Sequence, residues 1–299
     1  MNDIKHIHIS GVNFTIECRD AEISLPADSA YISFKENSVN FFEDVNVNVY
    51  LETDSLPKTN GLRKIFDSES SWSVFLDQDI YYISLKPEGF EKYIWLAKIR
   101  PGFREVVVYC SSKLMSWKNG QLIINSPVCY PLDQILLMYI LGIKKGALIH
   151  AAGADFMNKG FVFPGKSGAG KSTIVRQFMN HSKWSLLSDD RIVVRDNENS
   201  YWAYGTPWPG EAGIAENRKV PIAGVFFLKQ AVSNKIREID KREACEKMFP
   251  VVSIPWYDRK IFPEIMGCCE NITSNIPCYE LSFFPGSEVV DVLERFAAA

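Results

Sequence analysis

The sequence of 299 residues lacks the features that mark several large classes of protein. No apolar run reaches about eighteen residues, so we expect no membrane-spanning helix and no membrane partner. Basic residues are not in excess, because the net charge is −3, and nucleic acid is therefore not an expected partner. The first residues, MNDIKHIHIS, carry charges throughout and contain no apolar segment. We interpret them as mature sequence and not as a signal peptide.

The cysteines lack the spacing of a metal site or of a disulfide framework. Seven cysteines are scattered along the chain, and no C-x-x-C pair or zinc-type set with histidine occurs. Buried thiols in a reducing compartment are the simplest interpretation, so we predict a cytoplasmic protein. Apolar residues make up 46% and charged residues 23% of the chain, which is ordinary for a globular protein.

Residues 1–130 predict a β-rich region. Alternating or continuous apolar runs rich in β-branched and aromatic residues predict strands at KHIHIS, FTIEC, NVNVYL, WSVFL, IYYISL and EVVVYC. The polar stretch from Glu52 to Ser71 contains Pro57 and Asn60-Gly61 and predicts an exposed loop. No catalytic motif occurs here. Two roles stay open for this region: it binds an acceptor or partner, or it extends the catalytic sheet as a structural layer.

Residues 131–299 predict a domain in which helices and strands alternate, so the expected fold class is mixed α and β. LDQILLMYILG predicts a buried helix that is capped by its glycine, and Met157–Gly160 predicts a hairpin turn. A helix is expected at STIVRQFMN and another at residues 287–296. The predicted strands are ALIHAAGADF, GFVFP, SLLSDDRIVVR, YWAYG, PIAGVFFL and CYELSFF, with a turn at DNENS.

The strongest motif is a phosphate-binding loop of the Walker A pattern, G-x-x-x-x-G-K-[ST]. It is formed by Gly165, Lys166, Ser167, Gly168, Ala169, Gly170, Lys171 and Ser172. Glycines let successive backbone N–H groups turn towards phosphate oxygens, and the following helix points its positive end at the same anion. Lys171 is expected to reach the β- and γ-phosphates, and the Ser172 hydroxyl to bind Mg²⁺. The motif predicts binding of ATP with magnesium, with GTP left open.

Three acidic side chains and one histidine are candidates for the rest of the site. Asp189 and Asp190 follow an apolar strand, where ligands gather in α/β sheets. One of them is expected to bind near Mg²⁺ and the other to accept a proton from an incoming hydroxyl. His150 lies in an otherwise apolar strand, where a histidine is more often a core residue than a functional one. Glu211, in a loop rich in glycine and proline, is either a second metal ligand or part of a surface loop.

Five segments together resemble the catalytic domain of HPr kinase/phosphorylase and its relatives. They are HAAGADF, GFVFPGKSGAGKST, LLSDD, GTPWPGE and AENRKVPIAGVFFL. Those proteins are P-loop kinases that share a core with ATP-dependent phosphoenolpyruvate carboxykinase. The resemblance covers residues 131–299 and implies a catalytic domain of that fold.

The resemblance also implies roles for particular residues. Gly165 to Thr173 would hold the triphosphate, and His150 would lie at the active site. Asp189 would act as the base and Asp190 would help to bind the metal, with the opposite assignment left open. Glu211 matches an acidic position in the following loop. Relatives commonly form oligomers, so the resemblance suggests a homo-oligomer.

The chain departs from that family in three respects, one of which is that the signature tied to phosphorylase activity is not evident. Thr173-Ile174-Val175-Arg176 stands where HPr kinases have an acidic residue followed by a helix of alanine, leucine and glutamate. The first 125 residues do not resemble that family's N-terminal domain. We therefore predict an HPr-kinase-related phosphotransferase and not a true HPr kinase.

The leading functional hypothesis is transfer of the γ-phosphate of ATP to a hydroxyl acceptor, with serine in a protein or peptide preferred. Lys171 is part of the expected catalytic set, together with His150, Asp189 and Asp190. A kinase for a small hydroxyl compound, such as free serine or a sugar, is the first alternative. A regulatory module that binds ATP without turning it over is the second.

Overall fold

The computed structural model describes residues 3–26, 28–36, 45–53, 55–69, 71–197 and 200–298. The chain consists of two compact units, Met1–Ile140 and Leu141–Ala299. Helix α1 (Asp133–Ile143) crosses the boundary between them. Large sheets occur together with helices, so the fold is of the mixed α and β class. No helix in the described ranges is both long and apolar enough to cross a membrane.

The first unit contains twelve strands in its described part. They are β1 (Ile4–Ile9), β2 (Val12–Cys18), β3 (Ile23–Ser24), β4 (Lys35–Glu36), β5 (Val45–Glu52), β6 (Arg63–Asp67), β7 (Trp72–Asp77), β8 (Ile80–Leu85), β9 (Trp95–Ile99), β10 (Glu105–Cys110), β11 (Met115–Lys118) and β12 (Gln121–Ile124). Nine of them form one sheet in the order β4-β1-β2-β5-β10-β9-β8-β7-β6, and β11, β12 and β3 form another. Short helical turns lie at Ser29–Phe34, Ser112–Leu114 and Val128–Leu132.

The six strands predicted for this half are confirmed as β1, β2, β5, β7, β8 and β10. Their alternating sequences place every second side chain in the core, as in β5, where buried and less buried residues alternate. The prediction of an exposed loop from Glu52 to Ser71 was wrong, because β6 lies within it and pairs with β7. Edge strands commonly carry charged residues, and β6 is an edge strand that begins Arg63-Lys64. Its polar composition therefore resembled that of a loop.

The second unit contains eight strands and four complete helices in its described part. The strands are β13 (Gly146–Phe156), β14 (Lys159–Pro164), β15 (Trp184–Ser188), β16 (Arg191–Asn197), β17 (Ser200–Tyr204), β18 (Lys219–Gln230), β19 (Lys235–Glu238) and β20 (Cys278–Phe283). The helices are α2 (Lys171–Phe178), α3 (Lys241–Met248), α4 (Ile261–Asn275) and α5 (Glu288–Ala298), with a short turn at Phe249–Val251.

The long strand β13 organises the second unit. It pairs with β14 and β15 through its second half and with β16 through its first half. The circuit is closed by the pairings β16–β17, β17–β18 and β18–β14. On one face, Ala152, Ala154 and Phe156 of β13 pack in a core with residues of α2 and α5. His150 has the same parity on β13, so its side chain lies on the face that carries α2.

Several predicted elements of the second unit are confirmed, and two need correction. The hairpin at Met157–Gly160 and the helix after the glycine-rich loop are present. Gly142 does not cap α1, which continues to Ile143; a Cβ on Gly142 would lie 2.8 Å from Ile261 Cγ2, so close packing requires glycine there. SLLSDDRIVVR is not one strand but two, because β15 ends at Ser188 and β16 begins at Arg191. The turn predicted at DNENS includes residues 198 and 199, which lie outside the described residues.

Candidate functional site

The glycine-rich loop connects β14 to α2 and depends on its glycines. Gly168 and Gly170 have φ angles of +79° and +106°, in a region that other residues rarely adopt. A Cβ on Gly170 would also lie 2.4 Å from Phe283 Cζ. A Cβ on Gly165 would lie 2.6 Å from the Cβ of Ala169. The loop backbone therefore tolerates no side chain at these positions without rearrangement.

Lys171 is the first residue of α2, and its side chain is buried. Its Nζ donates to the carbonyl oxygens of Gly165, at 2.9 Å, and Lys166, at 3.4 Å. Burial lowers the pKa of Lys171, against the opposing effect of the Asp190 charge. Ser172 and Thr173 follow in the first turn and are half-buried. Backbone N–H groups in the first turn of a helix have no intrahelical acceptors and carry its positive dipole end. The loop and this turn thus form a concentrated set of N–H donors with one ammonium group.

His150 and Asp190 are brought together beside this loop. His150 Nε2 lies 3.0 Å from Asp190 Oδ1, and the Ala151 N–H donates to the Asp190 carbonyl at 3.0 Å. The His150 carbonyl in turn accepts from the N–H of Gly165 at 3.1 Å. Burial alone would raise the pKa of Asp190. The hydrogen bond from His150 and the charges of Arg191, His150 and Lys171 outweigh burial and hold this pKa below its ordinary value.

Asp189 has a different environment from its neighbour. Its side chain is almost fully buried, with 1% exposure. Oδ1 accepts from the N–H groups of Gly210 at 2.8 Å and Ile214 at 3.2 Å, and Oδ2 accepts from that of Ala212 at 2.6 Å. This carboxylate therefore holds the loop of residues 205–214 in place. Both of its oxygens are engaged, which does not suit the preferred prediction that Asp189 is the base.

Glu211 extends from the loop that Asp189 holds. Its side chain is 78% exposed, and Oε2 lies 3.7 Å from Arg176 Nη2 on α2. The loop thus contacts α2 one and a half turns beyond Lys171. Among the described residues, no cluster of three His, Cys, Asp or Glu side chains has metal-binding geometry. Ser172, Asp190 and Glu211 stay a prediction as metal ligands, because a set with a serine and two carboxylates is not of that kind.

Sequence reasoning missed two side chains at the site. Arg191, directly after the aspartates, places its Nε 3.3 Å from Asp190 Oδ2 and donates through Nη1 to Ser253 Oγ at 3.3 Å. Gln230, at the end of β18, donates through Nε2 to the carbonyl of Gly168 at 2.8 Å. Neither belongs to a motif. Arg191 was detectable only by its adjacency to the aspartates, whereas Gln230 meets the loop through the tertiary pairing of β18 with β14.

The fold and this site define the protein as a mixed α and β protein with a glycine-rich loop between β14 and α2. The sequence model of a protein family, described as SynChlorMet cassette protein ScmC, matches residues 127–285. This match covers more than half of the chain and includes the whole loop, the aspartates and β18. The chain belongs to that family.

Other comparisons are weaker. No curated protein sequence matches this chain. Among solved structures, one that is similar is the HPr(Ser) kinase/phosphatase from Coxiella burnetii, at 12% sequence identity and a TM-score of 0.32. The alignment covers 50% of this chain and 95% of that one. A likeness at this level supports no conclusion about the chemistry of the present chain.

Proposed function

We propose that this protein is an ATP-dependent kinase that transfers the γ-phosphate to a hydroxyl acceptor, preferably serine in a protein or peptide. One observation carries the proposal: a glycine-rich loop with a buried lysine lies directly beside a paired histidine and aspartate. A hydrogen bond from the Gly165 N–H to the His150 carbonyl joins the two. The loop follows β14, and Asp190 lies in the turn between β15 and β16, so the proposed phosphate-binding group and the proposed proton acceptor lie on either side of His150 in β13.

Binding of the nucleotide would use groups that are already positioned. Backbone N–H groups of the loop and of the first turn of α2 would bind phosphate oxygens. Lys171 would exchange its hydrogen bonds to the carbonyls of Gly165 and Lys166 for bonds to the β- and γ-phosphates. Since the lysine is buried, its interaction with phosphate is weakly screened by solvent.

The residues present fit a magnesium ion that arrives with the nucleotide. Mg²⁺ is commonly held by one or two protein oxygens together with substrate phosphates and water, so a three-residue cluster is not required. Ser172 would supply its hydroxyl from the first turn of α2. Glu211 would supply a carboxylate if it leaves Arg176, and Asp190 is the other carboxylate near the loop. The ion would neutralise charge on the phosphates.

Transfer would use Asp190 and not Asp189 as the proton acceptor, because Asp189 is engaged by three backbone N–H groups. The acceptor oxygen forms a bond to the γ-phosphorus as the bond to the β–γ bridging oxygen breaks, and ADP leaves. The hydroxyl proton passes to Asp190. With a low pKa, Asp190 is a weak base, so its main contribution is to orient the hydroxyl and accept the proton late in a loose transition state. His150 would fix the orientation of its carboxylate.

The test is transfer of label from γ-labelled ATP in the presence of Mg²⁺. Purified protein is incubated alone, with free serine, and with host lysate, and an EDTA-treated sample is the control. Label on a protein or peptide would support the proposal and identify the acceptor. Label on free serine would favour a small-molecule kinase. Binding of ATP without any transfer would favour a regulatory module and contradict the proposed kinase activity.

A further inference from the structure

Arg191 has a guanidinium group whose hydrogen-bonding capacity the protein only partly uses. Its Nη1 donates to Ser253 Oγ, and its Nε lies 3.3 Å from Asp190 Oδ2 without hydrogen-bond geometry. Within the described ranges, no atom accepts a hydrogen bond from this buried Nε. Buried polar groups nearly always have a partner, and an exception commonly marks a ligand, ion or water site. About a quarter of the Arg191 side chain, 26%, remains exposed.

The backbone places Arg191 close to the phosphate loop. Arg191 is directly opposite His150 in the antiparallel pairing of β13 with β16, so the two side chains lie on the same face of the sheet. On the other side of β13, the His150 carbonyl accepts from Gly165. Two strand spacings therefore separate the start of the loop from Arg191, a distance of about 10 Å between backbones. Lys171 Nζ lies at the start of the loop, 2.9 Å from the Gly165 carbonyl, so the extended side chain of an arginine spans most of that distance.

Electrostatic coupling agrees with this placement. Burial has the largest effect on the pKa of Lys171, which it lowers. The next largest effects come from the charge of Asp190, which raises this pKa, and the charge of Arg191, which lowers it. The ammonium and guanidinium groups are thus near enough to repel one another. Two cations held at one place favour the entry of an anion between them.

We infer that Arg191 binds the γ-phosphate of the nucleotide, as a second cation facing Lys171. The inference rests on the proposed function, which it extends by assigning a residue that discriminates a triphosphate from a diphosphate. An arginine is suited to this role because its planar fork presents several N–H donors to phosphate oxygens. In the transfer step the same contact would stabilise charge on the moving phosphoryl group.

The experiment compares the affinity of Arg191→Gln for two nucleotides, the non-hydrolysable β,γ-imido analogue of ATP and ADP, each with Mg²⁺. Wild-type protein is expected to bind the triphosphate analogue more tightly than ADP. Arg191→Gln is expected to lose about 10- to 100-fold in affinity for the analogue, the value of a hydrogen bond between charged groups. Its affinity for ADP should change less than about twofold, because ADP has no γ-phosphate.

Arg218→Gln is the matched control. Like Arg191, Arg218 pairs with a carboxylate, since its Nη2 lies 3.2 Å from Oδ2 of Asp155 in β13. Asp155 is five residues from His150, which is about 17 Å along the strand. This variant removes an ion-paired arginine of the same unit and should leave both affinities unchanged. Arg191→Lys, which keeps the charge, serves if Arg191→Gln does not fold, and should show a smaller loss for the triphosphate analogue alone.

The outcomes separate this inference from the function on which it rests. An unchanged ratio of the two affinities in a folded Arg191 variant would overturn the inference while leaving nucleotide binding intact. An equal loss for both nucleotides would also overturn it, because it would show a structural effect on the loop. Wild-type protein that binds neither nucleotide would overturn the proposed function, and the inference with it.

Discussion

The two units of this chain differ in how they treat charge. Among the described residues, the first unit buries one acidic or basic side chain, Asp133. The second unit buries five: Lys171, Asp189, Arg195, Asp258 and Glu280. Burial of a charged group is unfavourable unless specific partners compensate for it. The unit that contains the glycine-rich loop therefore also contains most of the buried charged side chains, whose burial is unfavourable without such partners.

Most of these buried charges have a structural explanation. Asp189 accepts three backbone N–H groups, and Asp258 accepts from the N–H groups of Lys260 and Ile261 at the start of α4. Glu280 pairs with Lys247 at 3.0 Å. Lys171 differs, because the hydrogen bonds of its ammonium group go to neutral carbonyl oxygens of the loop. A buried charged group is therefore a candidate for ligand binding when, as in Lys171, a ligand could take the place of its neutral hydrogen-bond partners.

The first unit has a feature of a different kind, a cavity of about 350 Å³. It is lined by apolar residues of β1 and β2 and by polar groups that include Lys5, His6, Tyr31 and Cys129. All of its lining residues belong to the first unit. The cavity lies in the first unit, whereas most of the buried charges lie in the second. The proposed binding of phosphate depends on charge and therefore concerns the second unit.

Replacement of Asp190 should have the largest effect on turnover. Asp190→Asn removes the proposed proton acceptor, and kcat is expected to fall by about 100- to 10,000-fold. Affinity for ATP, measured by titration without Mg²⁺, should change little because the loop is intact. An Asp190→Asn enzyme with wild-type kcat would contradict the assignment of the base.

Replacement of Asp189 should instead lower stability. Asp189→Asn substitutes an amide donor for one of the oxygens that face backbone N–H groups, so the free energy of unfolding is expected to fall by about 1–3 kcal/mol. Urea denaturation followed by circular dichroism measures this loss. If Asp189→Asn is as stable as wild type yet inactive, the roles of the two aspartates are reversed.

A buried hydrogen bond of the first unit provides the contrasting case. Tyr31 donates its hydroxyl to Asp133 Oδ2 at 2.5 Å, and burial beside that carboxylate raises the pKa of Tyr31, so it stays a donor. Tyr31→Phe should lower the free energy of unfolding by about 1–3 kcal/mol without altering the affinity for ATP. If Tyr31→Phe loses ATP binding when it is compared with wild type at the same fraction of folded protein, the assignment of nucleotide binding to the second unit alone would be contradicted.

Removal of His150 should change the pH dependence of turnover. In the wild type, burial of Asp190 is outweighed by the His150 hydrogen bond and by neighbouring positive charges, so its pKa lies below the ordinary value. His150→Ala removes both the hydrogen bond and the charge of His150, and the pKa of Asp190 should rise. Because the ionised carboxylate accepts the proton, the acidic limb of the pH–rate profile should move to higher pH. A limb that stays in place or moves to lower pH would show that His150 does not act through Asp190.

Local patterns predicted most of the fold, and tertiary contacts account for the errors. Alternation of apolar residues identified strands such as β5 and β10, and the Walker A pattern located the loop from residues 165 to 172. The strand β6 was missed because an edge strand tolerates charge. The different environments of Asp189 and Asp190 were not predictable, since the hydrogen bonds to Asp189 come from a loop more than twenty residues further along the chain. Arg191 and Gln230 have no periodicity or motif that distinguishes them from surface residues.

The central claim is that the second unit binds a nucleoside triphosphate through the loop that contains Lys171. The most direct measurement is the Kd of Mg²⁺-ATP by calorimetric titration of wild type, Lys171→Ala and, as the control, Lys166→Ala. Lys166 is in the same loop but its side chain is exposed. We predict saturable binding to wild type, a loss of roughly tenfold or more in Lys171→Ala, and little change in Lys166→Ala. The same affinity in all three proteins, or no binding to wild type, would contradict the account.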